Sequence, residues 1–323
     1  MADRVRWGVL GTANIARASF LPGLRAAGGE PWAVAGRDRS RTEAYAREQG
    51  IAHAVLGYDE LLDRADVDAV YIPLPNSLHK EWVIRALRAG KPVLCEKPLG
   101  LTAAEVSEMT AVSEQTGVPL WEAFVFMFRP HFEKLQGWVR DGAIGTLSEV
   151  DSRFSFRIRN TTNIRLQPEL GGGALYDVGC YPLHLASRLN GQAAKAATVK
   201  AMHHQSGVDE TVAGLVEFPE ARLLFSASLN GAPDTFTRLT GSEGSVACSN
   251  PFHPGDRDLL ALTRRGETTV LSAGDGRPSF AAAIAHVQRV VQREEAARLT
   301  AAETSLDTAV TIDLIRGVSG LAS

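Results

Sequence analysis

Two short segments of the sequence carry side chains that could exchange a proton with an alcohol or a carbonyl group. Lys97 lies just after the strand-like run 92–95, and Asp177 and Tyr181 follow three consecutive glycines at 171–173. If the second segment is helical, Asp177 and Tyr181 share one face. The pKa of tyrosine is about 10 in water, and an adjacent ammonium lowers it by stabilising the anion. Such a tyrosine could exchange a proton with an alcohol or a carbonyl group while a hydride moves to or from nicotinamide. By spacing alone, a surface lysine and a tyrosine packed between domains fit the same pattern.

A small-residue turn near the N-terminus indicates where a dinucleotide could bind. The segment 8–16, GVLGTANIA, lies where a predicted strand turns into a helix, as a pyrophosphate site requires. With Gly11 as the first glycine of G-x-G-x-x-G/A, Ala13 takes the second position and leaves less room for phosphates. A plain strand–turn–helix fits the motif as well when it is taken alone. The candidate cofactor contacts in this turn are Gly8, Gly11, Thr12, Ala13, Asn14 and Ile15.

The end of the second predicted strand bears on the choice between NADP and NAD. An NAD enzyme usually places Asp or Glu there to hold the ribose hydroxyls. This chain has Gly36 followed by Arg37, with Arg41 close behind, which makes room for a 2′-phosphate and offers it a planar cation. We therefore predict NADP as the cofactor. Asp38 keeps NAD possible, and a solvated arginine face is the plainer interpretation.

The elements that must position these residues fall into two groups. In the first, strand-like runs alternate with helical patterns, which predicts βαβ units and a parallel sheet whose strand ends face a ligand crevice. In the second, successive strand-like runs predict a mostly antiparallel sheet, with helices near the end of the chain. The predicted strands are 5–10, 32–35, 69–72, 93–95, 120–124, 147–158, 197–203, 211–218, 222–228, 236–240 and 259–263. The predicted helices are 14–27, 40–49 with Ser40 as N-cap, 77–89, 102–116, 280–297 and 305–318.

These patterns predict an α/β protein of two domains. Residues 1–123 are expected to form a Rossmann domain with a doubly wound parallel sheet that binds NADP. Residues 124–323 are expected to form an α+β domain with a large and mostly antiparallel sheet. That this sheet is open, and that the domain binds substrate and mediates oligomerisation, is implied only by the family resemblance described below. The boundary depends on a change of pattern, without any linker.

Composition narrows the function classes. The net charge of −3 and pI near 6.3 give no general attraction to nucleic acid or to anionic membranes. The first residues do not resemble a signal peptide, and no run of about 18 apolar residues predicts a membrane span. Three widely spaced cysteines indicate neither a disulfide framework nor a zinc site, so we expect a cytoplasmic protein without a metal.

Other oxidoreductase and nucleotide-binding classes lack their signatures here. No tyrosine has a lysine four residues later, as a short-chain dehydrogenase would need, and the P-loop motif G-x-x-x-x-G-K-[ST] is absent. The adjacent pair His203 and His204 points to opposite faces of a predicted strand, which does not suit a metal site.

Several motifs in a fixed order closely resemble the glucose–fructose oxidoreductase/inositol dehydrogenase (Gfo/Idh/MocA) family. The resemblance covers essentially the whole chain. Its landmarks are WGVLGTANIA at the start, AGRD after the second strand, PLPNSLH at 73–79, CEKP at 95–98, WEAFVFMFRP at 121–130 and ELGGGALYDVGCYPLH at 169–184.

The resemblance implies roles for individual residues. Lys97 matches the lysine of the family's EKP motif, and Asp177 and Tyr181 match the aspartate and acid–base tyrosine of the glucose–fructose oxidoreductase, dihydrodiol dehydrogenase and xylose dehydrogenase branch. Inositol dehydrogenase-like members more often have histidine in this region. The implied cofactor contacts further along the chain are Pro73, Leu74, Asn76, His79, Glu96, Lys97 and Arg165. The implied substrate contacts are Lys97, Phe156, Asp177, Tyr181 and His184.

The resemblance also implies an activity and an assembly. We expect an NADP(H)-dependent oxidoreductase that acts on a sugar, a polyol or a dihydrodiol, as an aldose 1-dehydrogenase or a sugar ketoreductase. An inositol 2-dehydrogenase-like NAD enzyme and a non-catalytic NADP-binding regulator are the alternatives. The family's open sheet often forms the oligomer interface, so a homodimer or homotetramer is expected, with no nucleic-acid or membrane partner.

Overall fold

The computed structural model describes residues 4–321 of the chain. Its strands are β1 Arg6–Leu10, β2 Glu30–Gly36, β3 His53–Leu56, β4 Ala69–Ile72, β5 Val93–Cys95, β6 Leu120–Glu122, β7 Leu147–Arg157, β8 Ala196–His203, β9 Asp209–Glu217, β10 Arg222–Ser228, β11 Asn230–Gly241, β12 Gly244–Cys248, β13 Leu259–Arg264 and β14 Glu267–Ser272. Its α-helices are α1 Leu21–Ala26, α2 Arg39–Gln49, α3 Tyr58–Leu62, α4 His79–Arg88, α5 Ala103–Thr116, α6 Pro130–Arg140, α7 Cys180–Asn190, α8 Ala281–Val291, α9 Ala301–Thr304 and α10 Leu306–Ser319.

The first six strands form one parallel sheet. Their order is β3-β2-β1-β4-β5-β6, and every neighbouring pair is parallel. The central strand β4 is buried at all four residues, as expected of a strand that is covered on both faces. This strand order is that of the doubly wound dinucleotide-binding fold.

The remaining eight strands form a second sheet, in the order β14-β13-β12-β11-β7-β10-β9-β8. The pair β7 and β10 is parallel, and the other neighbours are antiparallel. The predicted fold class, a Rossmann sheet plus an α+β part with a large, mostly antiparallel sheet, is confirmed.

The described chain divides into two compact units. The first contains residues 4–100, Ala104–Val125 and Arg277–Glu303, and the second contains Leu101–Ala103, Phe126–Gly276 and residues 304–321. The segment Arg277–Glu303 belongs with the first unit because α8 packs there: Gln288 Nε2 donates to Ala27 O over 2.8 Å. The sequence placed that segment in the second domain, and the domain boundary near residue 123 stays a prediction.

Several elements differ from the sequence prediction. Helices α3, α6 and α9 have no counterpart among the predicted helices, and the helix predicted at 280–297 ends at Val291. Strands β3, β12 and β14 have no counterpart among the predicted strands, and β14 is exposed along its whole length, so it shows no apolar alternation. The prediction that Ser40 is the N-cap of α2 is wrong. Asp38 holds that position, because its carboxylate accepts the N–H of Arg41 over 2.8 Å.

Two segments of π-helix lead into the helices that carry predicted site residues. Ala16–Phe20 precedes α1, and Leu175–Gly179 precedes α7 and contains Asp177. Single-turn π segments are rare in proteins, and those that occur are often at functional sites. One of these two follows the predicted cofactor turn, and the other contains the predicted site residue Asp177.

Candidate cofactor and substrate site residues

The turn after β1 has the geometry of a dinucleotide loop. Gly11 has φ of +101°, and its N–H donates to Ala35 O at the end of β2 over 2.8 Å. A Cβ at Gly11 would lie 3.1 Å from Leu74 Cδ2, so glycine fits both the backbone angle and the space. The next residues are half-buried or exposed: Thr12, Ala13, Asn14 and Ile15.

The start of the first helix fits a pyrophosphate. Helical backbone begins at Asn14 and continues through the π segment into α1, and the side chains of Asn14 and Ile15 are exposed there. The first N–H groups of a helix lack intrahelical partners and favour an anion. Gly8, whose predicted cofactor contact stays a prediction, is buried inside β1, and a Cβ there would lie 2.6 Å from Leu61 Cδ2. Gly8 thus permits close helix–strand packing before the turn.

The end of β2 combines a buried glycine with exposed charges. A Cβ at Gly36 would lie 2.1 Å from Thr42 Oγ1, so a side chain does not fit. Asp38 Oδ1 accepts both the Arg41 N–H over 2.8 Å and the Ser40 hydroxyl over 2.7 Å. The hydrogen bond from the Arg41 backbone, followed by that from Ser40, holds the pKa of Asp38 below its usual value. Asp38 therefore acts as a helix cap with its carboxylate already engaged.

Tyr58 is a residue near this site that sequence reasoning missed. Its hydroxyl lies 3.9 Å from the position of a Cβ at Gly11, and it forms a hydrogen bond with the Arg37 side chain. Burial raises the pKa of Tyr58, and the charges of Arg37 and Arg41 oppose that shift. Tyr58 thus connects the exposed arginines to the glycine turn. No local motif in the sequence marks it.

His79 joins two of the predicted cofactor-contacting segments. Its side chain is fully buried, with Nδ1 2.9 Å from Pro98 O and Nε2 2.9 Å from Leu74 O. Burial lowers the pKa of His79. The predicted contact with the cofactor stays a prediction, whereas the structure shows His79 holding the 73–79 loop against the segment after β5. In that loop Pro73 is buried and Asn76 is half-buried.

Carboxylates hold the backbone around Lys97. Tyr71 Oη donates to Glu96 Oε1 over 2.7 Å, and the Leu99 N–H donates to Glu122 Oε1 over 2.8 Å. Glu122 is 4% exposed, whereas Lys97 is half-buried and follows β5 at the carboxyl end of the parallel sheet. The Lys97–Pro98 peptide bond is cis. The backbone of this segment is therefore tied to neighbouring strands, and its lysine lies at the sheet edge where ligands bind in such folds.

In the second unit, Asp177 forms an ion pair with Arg165. Arg165 Nε lies 2.7 Å from Asp177 Oδ2, and the Asp177 side chain is 11% exposed. The Arg165 guanidinium also lies 5.9 Å from the ring centroid of Phe156. The structure thus brings together three predicted residues, one from the cofactor set and two from the substrate set. A carboxylate paired in this way stays fixed in orientation.

Aromatic rings surround Tyr181 near the start of α7. Its ring centroid lies 5.2 Å from that of Phe154, 5.1 Å from Phe252 and 6.2 Å from Phe126. Tyr181 is 6% exposed. The predicted i, i+4 relation to Asp177 spans the junction of the π segment with α7.

His184 lies in the interior of the second unit. Its Nδ1 is 2.9 Å from Thr308 Oγ1, its Nε2 is 3.0 Å from Met127 Sδ, and the side chain has no exposed surface. Burial, followed by the charge of Arg188, lowers the pKa of His184 well below its usual value. This placement favours a packing role, and the substrate contact of His184 stays a prediction.

Asp209 caps the helical segment that carries Asp177 and Tyr181, and sequence reasoning missed it too. Its Oδ2 accepts the Leu175 N–H over 2.6 Å, and a Cβ at Gly173, where φ is +121°, would lie 2.1 Å from Asp209 Oδ1. Burial raises the pKa of Asp209 to about 6, although the Leu175 hydrogen bond opposes the shift. The contact joins residues 34 apart, so no local pattern predicts it.

We expect Asp209→Asn to remove a pH-dependent loss of stability. Because the pKa of Asp209 is raised from 3.8 to about 6 by folding, the native chain binds the extra proton, and this group's contribution falls as pH rises from about 4 to 6. Urea unfolding gives the free energy of unfolding of wild type and variant at each pH. The wild-type value minus the variant value should fall by up to about 3 kcal/mol over that range. The exposed Asp256→Asn change is the control. A difference that stays flat with pH would contradict the expectation.

Among residues 4–321, no cluster of three or more His, Cys, Asp or Glu side chains could hold a metal ion. Within the same range, no helix is both long and apolar enough to cross a membrane.

These features define a class of protein. A parallel sheet with the doubly wound order, a positive-φ glycine turn opening onto a helix, and a second unit with an ion-paired aspartate and a tyrosine are the parts of a dinucleotide-dependent oxidoreductase. The chain belongs to the Gfo/Idh/MocA oxidoreductase family. Residues 5–124 match the model of the oxidoreductase family with the NAD-binding Rossmann fold, and residues 132–247 match the Gfo/Idh/MocA C-terminal domain.

Individual relatives are sugar-modifying enzymes. The chain is 39% identical to a dTDP-3,4-didehydro-2,6-dideoxy-alpha-D-glucose 3-reductase of Streptomyces violaceoruber, over 88% of this chain and 85% of the relative. It is 34% identical to an NADP(+)-dependent D-xylose 1-dehydrogenase of Haloferax volcanii, over 96% and 95%. A 3-ketoreductase from Actinomadura kijaniata, solved in complex with NADP and TDP-benzene, is similar with a TM-score of 0.89 and 30% identity over 98% of both chains.

Family membership confirms the predicted class of enzyme, an NAD(P)-dependent oxidoreductase. The relatives named above act on sugars or nucleotide-linked sugars, which agrees with the predicted substrate class at that level. The roles of single residues and the oligomeric state stay predictions.

Proposed function

We propose that this protein is an NADP(H)-dependent sugar oxidoreductase in which Tyr181 is the acid–base residue and Lys97 and Asp177 assist it. The observation that carries the proposal is that Asp177, which is ion-paired with Arg165, and Tyr181, which is enclosed by aromatic rings, lie on one continuous helical run. The substrate is a sugar or sugar derivative with a secondary hydroxyl, a carbonyl or an anomeric carbon as the reacting group. NADP(H), when bound, supplies the hydride acceptor or donor.

The proposed mechanism assigns each side chain one task. Tyr181 takes the proton of the substrate hydroxyl during oxidation and returns a proton to the carbonyl oxygen during reduction. Lys97 hydrogen-bonds the same substrate oxygen and, as a cation, stabilises the tyrosinate. Asp177, fixed by Arg165, accepts a hydrogen bond from substrate and so limits its orientation.

The choice of NADP over NAD follows from how the end of β2 uses its charges. Asp38 caps α2 with the oxygen that also accepts from Ser40, whereas Arg37 and Arg41 are exposed. An acidic residue that selects NAD must present its carboxylate to the ribose hydroxyls. The arginines, in contrast, offer hydrogen bonds to a 2′-phosphate.

The activity is tested with the purified protein, NADP⁺ or NADPH, and a panel of aldoses, polyols, trans-dihydrodiols and dTDP-linked keto-sugars. Absorbance of the reduced nicotinamide should change with at least one sugar-class substrate. Tight binding of NADP(H) without turnover of any substrate would overturn the proposal in favour of a non-catalytic NADP-binding regulator.

We expect Arg37→Ser to weaken NADP⁺ binding selectively. Hydrogen bonds to charged groups contribute about 1.5–3 kcal/mol, so the Kd for NADP⁺ should rise roughly 10- to 150-fold, while the Kd for NAD⁺ changes little. Fluorescence or calorimetric titration measures both constants without any substrate. Arg39→Ser is the matched control, because Arg39 is exposed two residues away and has an ion-pair distance of 3.9 Å to Glu43. Equal losses for NADP⁺ and NAD⁺ would contradict the assignment.

A further inference from the structure

The segment between β12 and β13 places a histidine against Tyr181. The ring centroids of His253 and Tyr181 are 5.4 Å apart at 73°, and His253 also lies 6.0 Å from Phe154. The preceding residue, Phe252, is fully buried and stacks on Phe154 at 5.7 Å. His253 itself is exposed. The segment thus anchors itself with one ring and presents the next ring at the surface beside Tyr181.

Buried charged and polar side chains hold this segment in place. His131 Nε2 lies 2.7 Å from Pro251 O, and Arg129 Nη1 donates to Pro254 O over 3.1 Å. Both side chains are 4% exposed, and Arg129 is also ion-paired with Asp275. Placing a buried arginine and a buried histidine under a surface loop is costly unless their hydrogen bonds are made, so this loop has a fixed conformation.

Hydrogen bonds within the segment fix His253 further. Its N–H donates to Asn250 Oδ1 over 3.0 Å, and Asn250 Nδ2 donates back to His253 O over 2.8 Å. Asp258 accepts the Gly255 N–H and the Ser249 hydroxyl, each over 2.8 Å. An exposed side chain on a loop that is held this firmly is pre-organised for a contact with a ligand.

The surroundings of Tyr181 suggest what that contact is. Phe126 and Phe252 are fully buried and Phe154 is half-buried, so these rings present apolar surface around a phenol that is itself 6% exposed. His253 is the exposed ring in contact with Tyr181, so it is available to a ligand bound at the surface there. Aromatic rings can pack against the C–H face of a sugar but cannot hydrogen-bond its hydroxyls, whereas an imidazole both donates and accepts.

We propose that His253 is a specificity-determining residue whose imidazole hydrogen-bonds a hydroxyl of the sugar next to the reacting carbon. The proposal rests on the proposed function of Tyr181. The aromatic rings around Tyr181 together with His253 should therefore prefer substrates that combine an apolar ring face with a hydroxyl at that position. Substrates without that hydroxyl lose this hydrogen bond and bind more weakly.

The test compares His253→Phe with His253→Gln by steady-state kinetics on the best substrate from the panel. Phenylalanine keeps the ring contact and removes the hydrogen bond, so KM should rise roughly three- to tenfold while kcat changes less than threefold and the Kd for NADP⁺ is unchanged. Glutamine should restore most of the lost affinity. His204→Phe is the matched control, because that histidine lies in the turn after β8 and bonds Ser206.

A second measurement identifies the hydroxyl. Wild type should discriminate against one monodeoxy analogue of the substrate, and His253→Phe should lose that discrimination. Unchanged KM values for every substrate and analogue, in a variant whose thermal midpoint equals that of wild type, would overturn the role of His253 alone. Failure of wild type to turn over any substrate would overturn the proposed function and this inference with it.

Discussion

Replacing Tyr181 by phenylalanine should lower kcat by about 10²–10⁴-fold, the usual contribution of a positioned acid–base group. The change removes one oxygen and keeps the ring, so the contacts with Phe154 and Phe252 at 5.2 and 5.1 Å remain. NADP⁺ affinity should stay within twofold, since Tyr181 is not among the predicted cofactor contacts. Single-turnover absorbance measurements at saturating substrate give the rate of the hydride step directly, and fluorescence titration gives the cofactor affinity.

Tyr176→Phe is the matched control for that experiment. Tyr176 lies five residues earlier, in the π segment that leads into α7, and its hydroxyl donates to Leu101 O over 2.7 Å. Loss of that bond should lower the free energy of unfolding by about 1 kcal/mol and leave kcat within a few-fold of wild type. A Tyr181→Phe enzyme with near-normal kcat would refute the acid–base assignment, and equal losses in both variants would indicate a structural effect of the segment.

The order of most strands and helices could be predicted from the sequence, because it depends on local patterns of apolar residues. The alternation of apolar runs and helical periods predicts the strand–helix series of the first sheet, and β4, β5 and β10 begin and end where predicted. An exposed edge strand lacks this signal: β14 has no buried residue. The cap of α2 shows a similar limit, because Asp38 and Ser40 are both good N-cap residues and only the backbone geometry distinguishes them.

The candidate site was predicted only in part because its contacts join distant parts of the chain. The motifs identify Lys97, Asp177 and Tyr181, but Asp209 reaches Leu175 across 34 residues, and no pattern links them. His253 stands 72 positions after Tyr181 in the sequence and meets it only through the folding of the second sheet. The buried surroundings of His184 were equally beyond local patterns, because its neighbours Met127 and Thr308 lie 57 and 124 residues away.

Lys97→Met should be the second severe variant, with kcat/KM lowered by at least about 10²-fold, because in the proposed mechanism it removes the charged hydrogen-bond donor to the reacting oxygen. The surrounding structure should tolerate the change, since Glu96 and Glu122 accept hydrogen bonds from Tyr71 and from the Leu99 backbone, which methionine at position 97 leaves in place. Lys80→Met serves as the control. Lys80 belongs to the same unit, is half-exposed and lies 2.6 Å from Glu108, so its loss should leave kcat/KM unchanged.

The pH profile of Lys97→Met distinguishes a chemical role from a purely structural one. In the proposed mechanism the active form of Tyr181 in alcohol oxidation is the anion, which the Lys97 ammonium would favour. Removing the ammonium should therefore move the rising limb of kcat/KM to higher pH, whereas a variant that only misplaces substrate would keep the limb where it is in wild type. In the direction of carbonyl reduction, where the protonated tyrosine is active, the falling limb should move to higher pH as well. Unshifted limbs in both directions would leave Lys97 as a substrate-binding residue and remove it from the proton-transfer step.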